Sequence, residues 1–214
     1  MTIPVRLALL LSLVLASCQA TASVTRLPPD IAGKFEFSEQ DVETARGESD
    51  GLPVRFLEVE DVRGGGVSFV LDGTPRDVRD MMLDFEGANG RREWCEKYES
   101  VFVSETEAES IWHFKRYKIF KPVVRLLYEI QEIDDGDEIV IEFRAAEPAA
   151  GVAALFGQYR MSRLDAEPPT TLMHARVFID TGFPIGVSDD DMESGLRTDA
   201  QNLRDWIRAR LYDS

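Results

Sequence analysis

Residues 189–211, DDDMESGLRTDAQNLRDWIRARL, decide how the rest of the chain is read. Met192, Leu196, Ala200, Leu203, Ile207 and Leu211 recur at spacings of 4, 4, 3, 4 and 4, so they form one stripe of a helix with Trp206 at its edge. Asp190 is the expected cap, with Glu193 three residues on as in a capping box. The acids at 189–191 stand at the positive end of the helix macrodipole. At 1.5 Å per residue such a helix runs ~33 Å, enough to cross a six- or seven-stranded sheet at an angle. An apolar stripe of that length needs a partner surface, and the residues before it supply one.

Upstream, six extended segments follow one another with no helix between them: about 99–105, 110–120, 123–133, 138–145, 157–164 and 171–180. Ile139, Ile141, Phe143 and Ala145 alternate with Val140, Glu142 and Arg144. Leu126, Tyr128 and Ile130 alternate with Leu127, Glu129 and Gln131. This is the period of a strand with one buried face. Asp134-Asp135-Gly136-Asp137 between the third and fourth segments is a hairpin turn, since Asp-Gly tolerates positive φ. The result is an antiparallel meander with one face against the core. Earlier still, residues 54–62 form a first extended segment, and Gly64-Gly65-Gly66 separates it from a strand at 67–71. Thr74-Pro75 opens a short helix carrying Val78, Met81, Met82 and Phe85 and ending near Gly87.

The N-terminus belongs to another category. Arg6 and the apolar run Leu7–Ala16 form a secretory signal, too short to span a bilayer core that needs ~20 residues. Leu15-Ala16-Ser17-Cys18 resembles a bacterial lipobox, which makes residues 1–17 a lipoprotein signal peptide and Cys18 the lipidated N-terminus. Gln19 after it implies the outer membrane, facing the periplasm. The alternative is cleavage after Ala20-Thr21-Ala22, releasing a soluble periplasmic protein. Residues 18–51, with Pro28-Pro29 and many acids, read as a lipidated N-terminus and flexible tether, roughly 30 Å long on average. Residues 52–214 are then the folded domain.

The order of strand, short helices, six strands and long C-terminal helix resembles the START-like (SRPBCC) superfamily. The residues that carry the resemblance are Val67–Leu71 with Gly73-Thr74-Pro75 and Val78, Gly157-Gln158-Tyr159-Arg160-Met161, Thr170-Thr171-Leu172, Asp180–Pro184, and Asn202-Leu203-Arg204. Lys121-Pro122-Val123-Val124-Arg125 departs from the pattern of many bacterial members, which have a proline and tryptophan followed by arginine-aspartate; here Leu126 takes the place of the acid. The implied fold is α+β and helix-grip: an antiparallel curved sheet wrapped around a long C-terminal helix, with short helices after the first strand.

That resemblance implies a cavity between sheet and helix for a hydrophobic small molecule or lipid. Alternation and resemblance together line it with Tyr117, Phe143, Tyr159, Met161, Val177 and Ile179 from the sheet and with Met192, Leu196, Ala200 and Leu203 from the helix. Phe183, with Pro184 and Ile185, sits at its mouth. The same residues would equally serve as dry core. A cyclase-like or hydrolase-like enzyme using the same cavity, with Tyr117, Tyr159 or Arg160 moving protons, is the alternative. An envelope scaffold presenting an acidic surface to a protein partner is a third reading.

Composition narrows the rest. The 214 residues carry 24 Lys+Arg against 39 Asp+Glu, a net charge of -15, which is the wrong sign for neutralising phosphates and argues against a nucleic-acid partner. Membrane contact is therefore expected through the acyl anchor. Two histidines without cysteine neighbours make no zinc set. His113 and His174 read as surface or satisfied strand residues, and Asp189–Asp191 as a helix cap rather than a calcium loop. No nucleophile elbow or phosphate loop is present, and Gly64-Gly65-Gly66 precedes a strand instead of a helix. The sequence calls for no catalytic residue, metal or cofactor. Cys95, flanked by Trp94 and Glu96, reads as a structural thiol.

Overall fold

A computed structural model describes residues 38–47, 51–59, 62–89, 95–116, 121–181 and 188–212. Among these the elements run α1 (Glu39–Thr44), β1 (Val54–Val59), β2 (Val62–Asp72), α2 (Pro75–Leu83), β3 (Cys95–Val103), β4 (Glu107–Phe114), β5 (Val123–Ile133), β6 (Glu138–Ala145), β7 (Ala154–Ala166), β8 (Pro169–Asp180) and α3 (Asp189–Tyr212). All eight strands form one antiparallel sheet in the order β1-β2-β8-β7-β6-β5-β4-β3. The meander of β3–β8 thus closes back on β2 through β8, and β1 and β3 are its edges.

The β5–β6 hairpin has the bounds expected from alternation. Its turn is a single 3-10 turn in which Asp134 and Asp135 take φ of 50° and 55° before Gly136 at 91°. Aspartate tolerates that left-handed region because its short side chain can hydrogen-bond locally. The turn fixes the register at Ile133↔Glu138 and so sends Tyr128, Phe143 and their alternates to the same face.

The glycine triplet does not separate two strands, as the sequence suggested; it lies inside β2. Side chains fill its space from both sides of the sheet. A Cβ on Gly65 would lie 2.7 Å from Leu196 Cδ1 and 3.0 Å from Met192 Sδ, whereas one on Gly64 would lie 2.2 Å from the Phe178 ring. Missing side chains are thus what allow α3 to approach the inner face closely.

The α3 stripe is buried as predicted at Leu196, Ala200, Leu203 and Ile207, with Met192, Trp206 and Leu211 partly buried beside them. Burying a leucine or isoleucine side chain contributes about 1.5–3 kcal/mol, so the stripe holds the helix without help from its outward face. The expected cap is shifted by two residues: Ser188, not Asp190, precedes the first turn. The Asp191 amide donates to Ser188 Oγ at 3.1 Å, and Ser188 Oγ donates to Asp191 Oδ2 at 2.8 Å. Serine and aspartate both cap well, and sequence alone does not choose between neighbours of equal merit.

Within the stretch read as tether, residues 39–44 form a helix rather than coil. Ser38 and Asp41 make a reciprocal capping box, and Ala45 is fully buried. The Val70 amide donates to Ala45 O at 3.1 Å, which extends the edge of β2 beyond β1. Arg204 of α3 joins the same place: its buried guanidinium donates to Val70 O at 3.0 Å, to Gly47 O at 2.6 Å and to Ala45 O.

Candidate functional site

The sheet's inner face carries rows of side chains that cross it strand by strand. One row runs Val103, Ala108, Tyr128, Phe143, Gly157, Val177, Gly65, Phe56, touching all eight strands. The next passes through Ile130, Ile141, Tyr159, Ala175 and Val67, and a third through Ile139, Met161, Met173 and Phe69. Phe143 and Val177 therefore share a row, and Tyr159, Met161 and Ile179 stand on the same face in neighbouring rows.

Two covers lie over this face. The long helix α3 packs chiefly on β2, with Leu196 and Met192 against Gly65. The short helix α2 and the turn after it lie over the middle of the sheet, facing β6, β7 and β8. Thr74 and Asp77 form a reciprocal capping box and Pro75 opens the helix, so its entry angle is set locally. Pro75, Val78, Met82 and Leu83 are its buried side.

Polar contacts hold the second cover at three points. Arg76 and Arg79 both reach Glu132 at the end of β5. Asn89 accepts from the Tyr98 amide at 2.7 Å and returns a longer bond to Tyr98 O, as a strand residue would. Asp84 pairs with Arg210 of α3, whose guanidinium also stacks 4.7 Å above the Trp206 ring.

Under this cover lies a small chamber of about 20 Å³, lined by Met82, Leu83, Phe85, Ala88, Tyr98, Trp112, Tyr128, Ile141 and Tyr159. That is room for about one water. Aromatic rings make most of its wall. Tyr98 meets Trp112 edge-on at 5.1 Å and 86°, Phe85 lies 5.2 Å from Tyr128, and Phe143 stacks on Tyr159 at 5.0 Å. Phe143 reaches that position because Gly157 lies beneath it: a Cβ there would be 2.5 Å from the Phe143 ring and 2.1 Å from Arg176 O. A wider depression of about 500 Å³ runs along α3 past Asp190, Glu193, Arg197 and Gln201. Its charged and amide lining offers nothing to an apolar guest, so the aromatic chamber is the candidate site.

Of the residues expected at the site, Tyr159 lines the chamber, and Phe143 supports it from behind. Met161, Leu196, Ala200 and Leu203 are buried in the core cluster, with Val177, Ile179 and Met192 packed against it; none of them is among the chamber's lining residues. Tyr117, Phe183 and Cys18 lie outside the described residues. Sequence reasoning missed Tyr98, Trp112 and Tyr128 as lining residues, though Met82 and Phe85 were visible as an apolar helix stripe. The available signal was an aromatic at an inner-face position on each of β3, β4, β5 and β7.

Of the acid-base candidates, Tyr159 lines the chamber and Arg160 does not. Arg160 is on the opposite face of β7 from Tyr159 and pairs with Glu138 at 2.9 Å. On that outer face Ser68 Oγ lies 2.5 Å from His174 Nδ1, and Arg176 donates to Gln158 Oε1 at 2.7 Å. Burial, aided by the Arg176 and Arg160 cations, pushes His174 down from 6.5 to about 4. It is therefore a neutral ring at ordinary pH, one sheet thickness from the chamber. Cys95 is buried, with its Sγ 3.3 Å from both Lys97 O and His113 O, which suits a structural thiol. Among the described residues no cluster of His, Cys, Asp and Glu could hold a metal ion.

No protein-family model matches the sequence, and no curated protein matches it. Solved structures do. A STAR-related lipid transfer protein from Xanthomonas axonopodis superposes with a TM-score of 0.64 at 15% identity, covering 76% of this chain and 96% of that one. Human StAR-related lipid transfer protein 5 gives 0.58 at 13% identity, with 95% of each chain covered. The ZhuI aromatase/cyclase from Streptomyces sp. R1128 gives 0.51 at 15% identity, covering 74% of this chain and 96% of that one. These likenesses agree with the eight-stranded sheet, the short helix after β2 and the long terminal helix: the chain has the START-like, helix-grip fold.

Proposed function

We propose that this chain binds an apolar small molecule or lipid between the inner face of its sheet and the α2 cover, and does so as a membrane-anchored lipoprotein. The observation that carries the binding reading is the aromatic chamber under a cover with few ties. Its resting volume admits no such guest, so the cover must lift. The cover's ties include exposed ion pairs, each worth about 0–1 kcal/mol, and the buried Val78, Met82 and Leu83, whose apolar area a guest would cover again. Lifting the nine-residue α2 uncovers less of the molecule than lifting the 24-residue α3 would. Two structural neighbours, both named as lipid transfer proteins, point the same way.

The anchor is supported by the leader Arg6–Ala16 and the lipobox-like Leu15-Ala16-Ser17-Cys18. Several acyl chains on Cys18, at ~0.8 kcal/mol per buried CH₂, would hold the protein firmly on the outer membrane facing the periplasm. Purifying the untagged protein from its own membranes and extracting it for mass spectrometry should release an apolar species in near-stoichiometric amount; repeated empty preparations would overturn the binding reading. Cys18→Ser should move the protein from the membrane to the soluble fraction, and unchanged fractionation would overturn the anchor.

A further inference from the structure

The chamber wall is aromatic but not wholly apolar. Ser110, on the inner face of β4, is fully buried. It accepts the Trp112 indole N–H at 2.8 Å, and its Oγ lies 3.0 Å from the Tyr128 hydroxyl oxygen. Trp112 and Tyr128 both line the chamber, so one serine fixes the orientation of two lining rings. Burying a hydroxyl costs about 1–3 kcal/mol unless it is matched, and phenylalanine at 128 would make a wall of nearly the same shape with no hydroxyl to match. The resting space, about 20 Å³, is on the scale of a single oxygen group and far below that of an alkyl chain. Around it stand the flat faces and edges of Tyr98, Trp112, Tyr128 and Tyr159, which pack best against another ring.

We propose that the site takes a planar ring compound carrying one hydroxyl or carbonyl oxygen. That oxygen is seated against the Tyr128 hydroxyl, and the ring system takes the place of the cover residues Met82, Leu83 and Phe85. The proposal rests on the binding reading above and narrows its ligand class. Tyr128 touches the guest, while Ser110 is a positioning residue that holds Trp112 and the Tyr128 hydroxyl in place.

Pyrene and 1-hydroxypyrene differ by one hydroxyl and report binding by fluorescence, so titrating the full chain with each isolates the oxygen. The wild type should bind 1-hydroxypyrene roughly fivefold to tenfold more tightly, the worth of one hydrogen bond. Tyr128→Phe should erase that preference, so that the two probes bind within about twofold of each other. Ser110→Ala should weaken the preference, and Ser110→Thr, which keeps the hydroxyl, should restore it. Equal binding of both probes by the wild type would overturn the proposal, as would a preference that survives Tyr128→Phe. If neither probe binds while native preparations carry a straight-chain lipid, the ring proposal falls and the binding reading stands. If neither binds and the preparations are empty, both fall. Tyr128→Phe keeps the test decisive should the Ser110 variants fail to fold.

Discussion

One face of a single sheet is closed in two different ways. Over β2, α3 comes down onto glycine: with no side chain at Gly65, Leu196 and Met192 reach the backbone and the contact is close. Over the middle strands the sheet carries Tyr98, Trp112, Tyr128 and Tyr159, and the nine-residue helix α2 rests on rings it cannot interdigitate with closely. The first half is held by buried apolar area, while the second depends in part on exposed ion pairs and the Asn89 bridge. Side-chain bulk on the sheet therefore decides where the molecule is sealed and where it keeps a void. The presence of a helix overhead does not.

Ile207→Ala should break the sealed half. It removes a fully buried side chain, and the expected loss is about 3 kcal/mol by urea denaturation, with probe binding per folded molecule unchanged. Loss of binding at equal occupancy of the folded state would show that the two halves are not separable.

Acid should loosen the same half from its outer side. The unfolded chain takes a proton on His174 near pH 6.5, whereas the folded chain refuses it until about 4. Stability from this group is thus fully present above 6.5, declines as pH falls through that window, and is exhausted near 4, a loss on the order of 2 kcal/mol. From about pH 4.5 downward Glu109 and Glu132 add to the loss, since hydrogen bonds from Arg125 and Arg76 hold them under the ordinary carboxylate range. In His174→Gln the decline between pH 6.5 and about 5 should vanish from thermal melts; a decline that persists there would assign it elsewhere.

The smallest effect on stability, and the sharpest on the comparison, should come from Ala88→Leu. Added carbons there enter the chamber directly, and the overpacking should cost about 1 kcal/mol, the low end for an inserted group, because a nine-residue cover can shift outward. Capture of 1-hydroxypyrene should fall at least about tenfold. Undiminished capture would place the guest elsewhere on the face.

The sealed half was largely legible from the amino-acid order, because it depends on local periodicity. The α3 stripe, the β5–β6 alternation and the Asp134–Gly136 turn each follow from spacing and turn chemistry. The chamber was less legible because it depends on register. Val101 is an extra residue between the pairs Ser100↔Ser110 and Phe102↔Glu109, a bulge no alternation count reveals, and it leaves Val101, Phe102 and Val103 exposed in succession. Tyr98 and Trp112 become neighbours only once that pairing is known. The helix residues Leu196, Ala200 and Leu203, assigned to the cavity with α3 as its roof, are buried in the core cluster, where Gly65 lets α3 approach the sheet closely. Gly64-Gly65-Gly66 looked like a break between two strands in the sequence because what occupies its missing side chains comes from β8 and α3, far along the chain.

The Arg204 clamp gives the molecule a path for tension. Its guanidinium grips the carbonyls of Ala45 and Gly47 on one side and Val70 on the other, and Ala45 O also accepts from the Val70 amide. A pull applied upstream of Ser38 therefore reaches the last helix and the second strand together before it can peel any other strand from the sheet. Force at the beginning of the chain is shared with its far end, and a chain begun at residue 52 would leave that arginine with two of its three carbonyls gone.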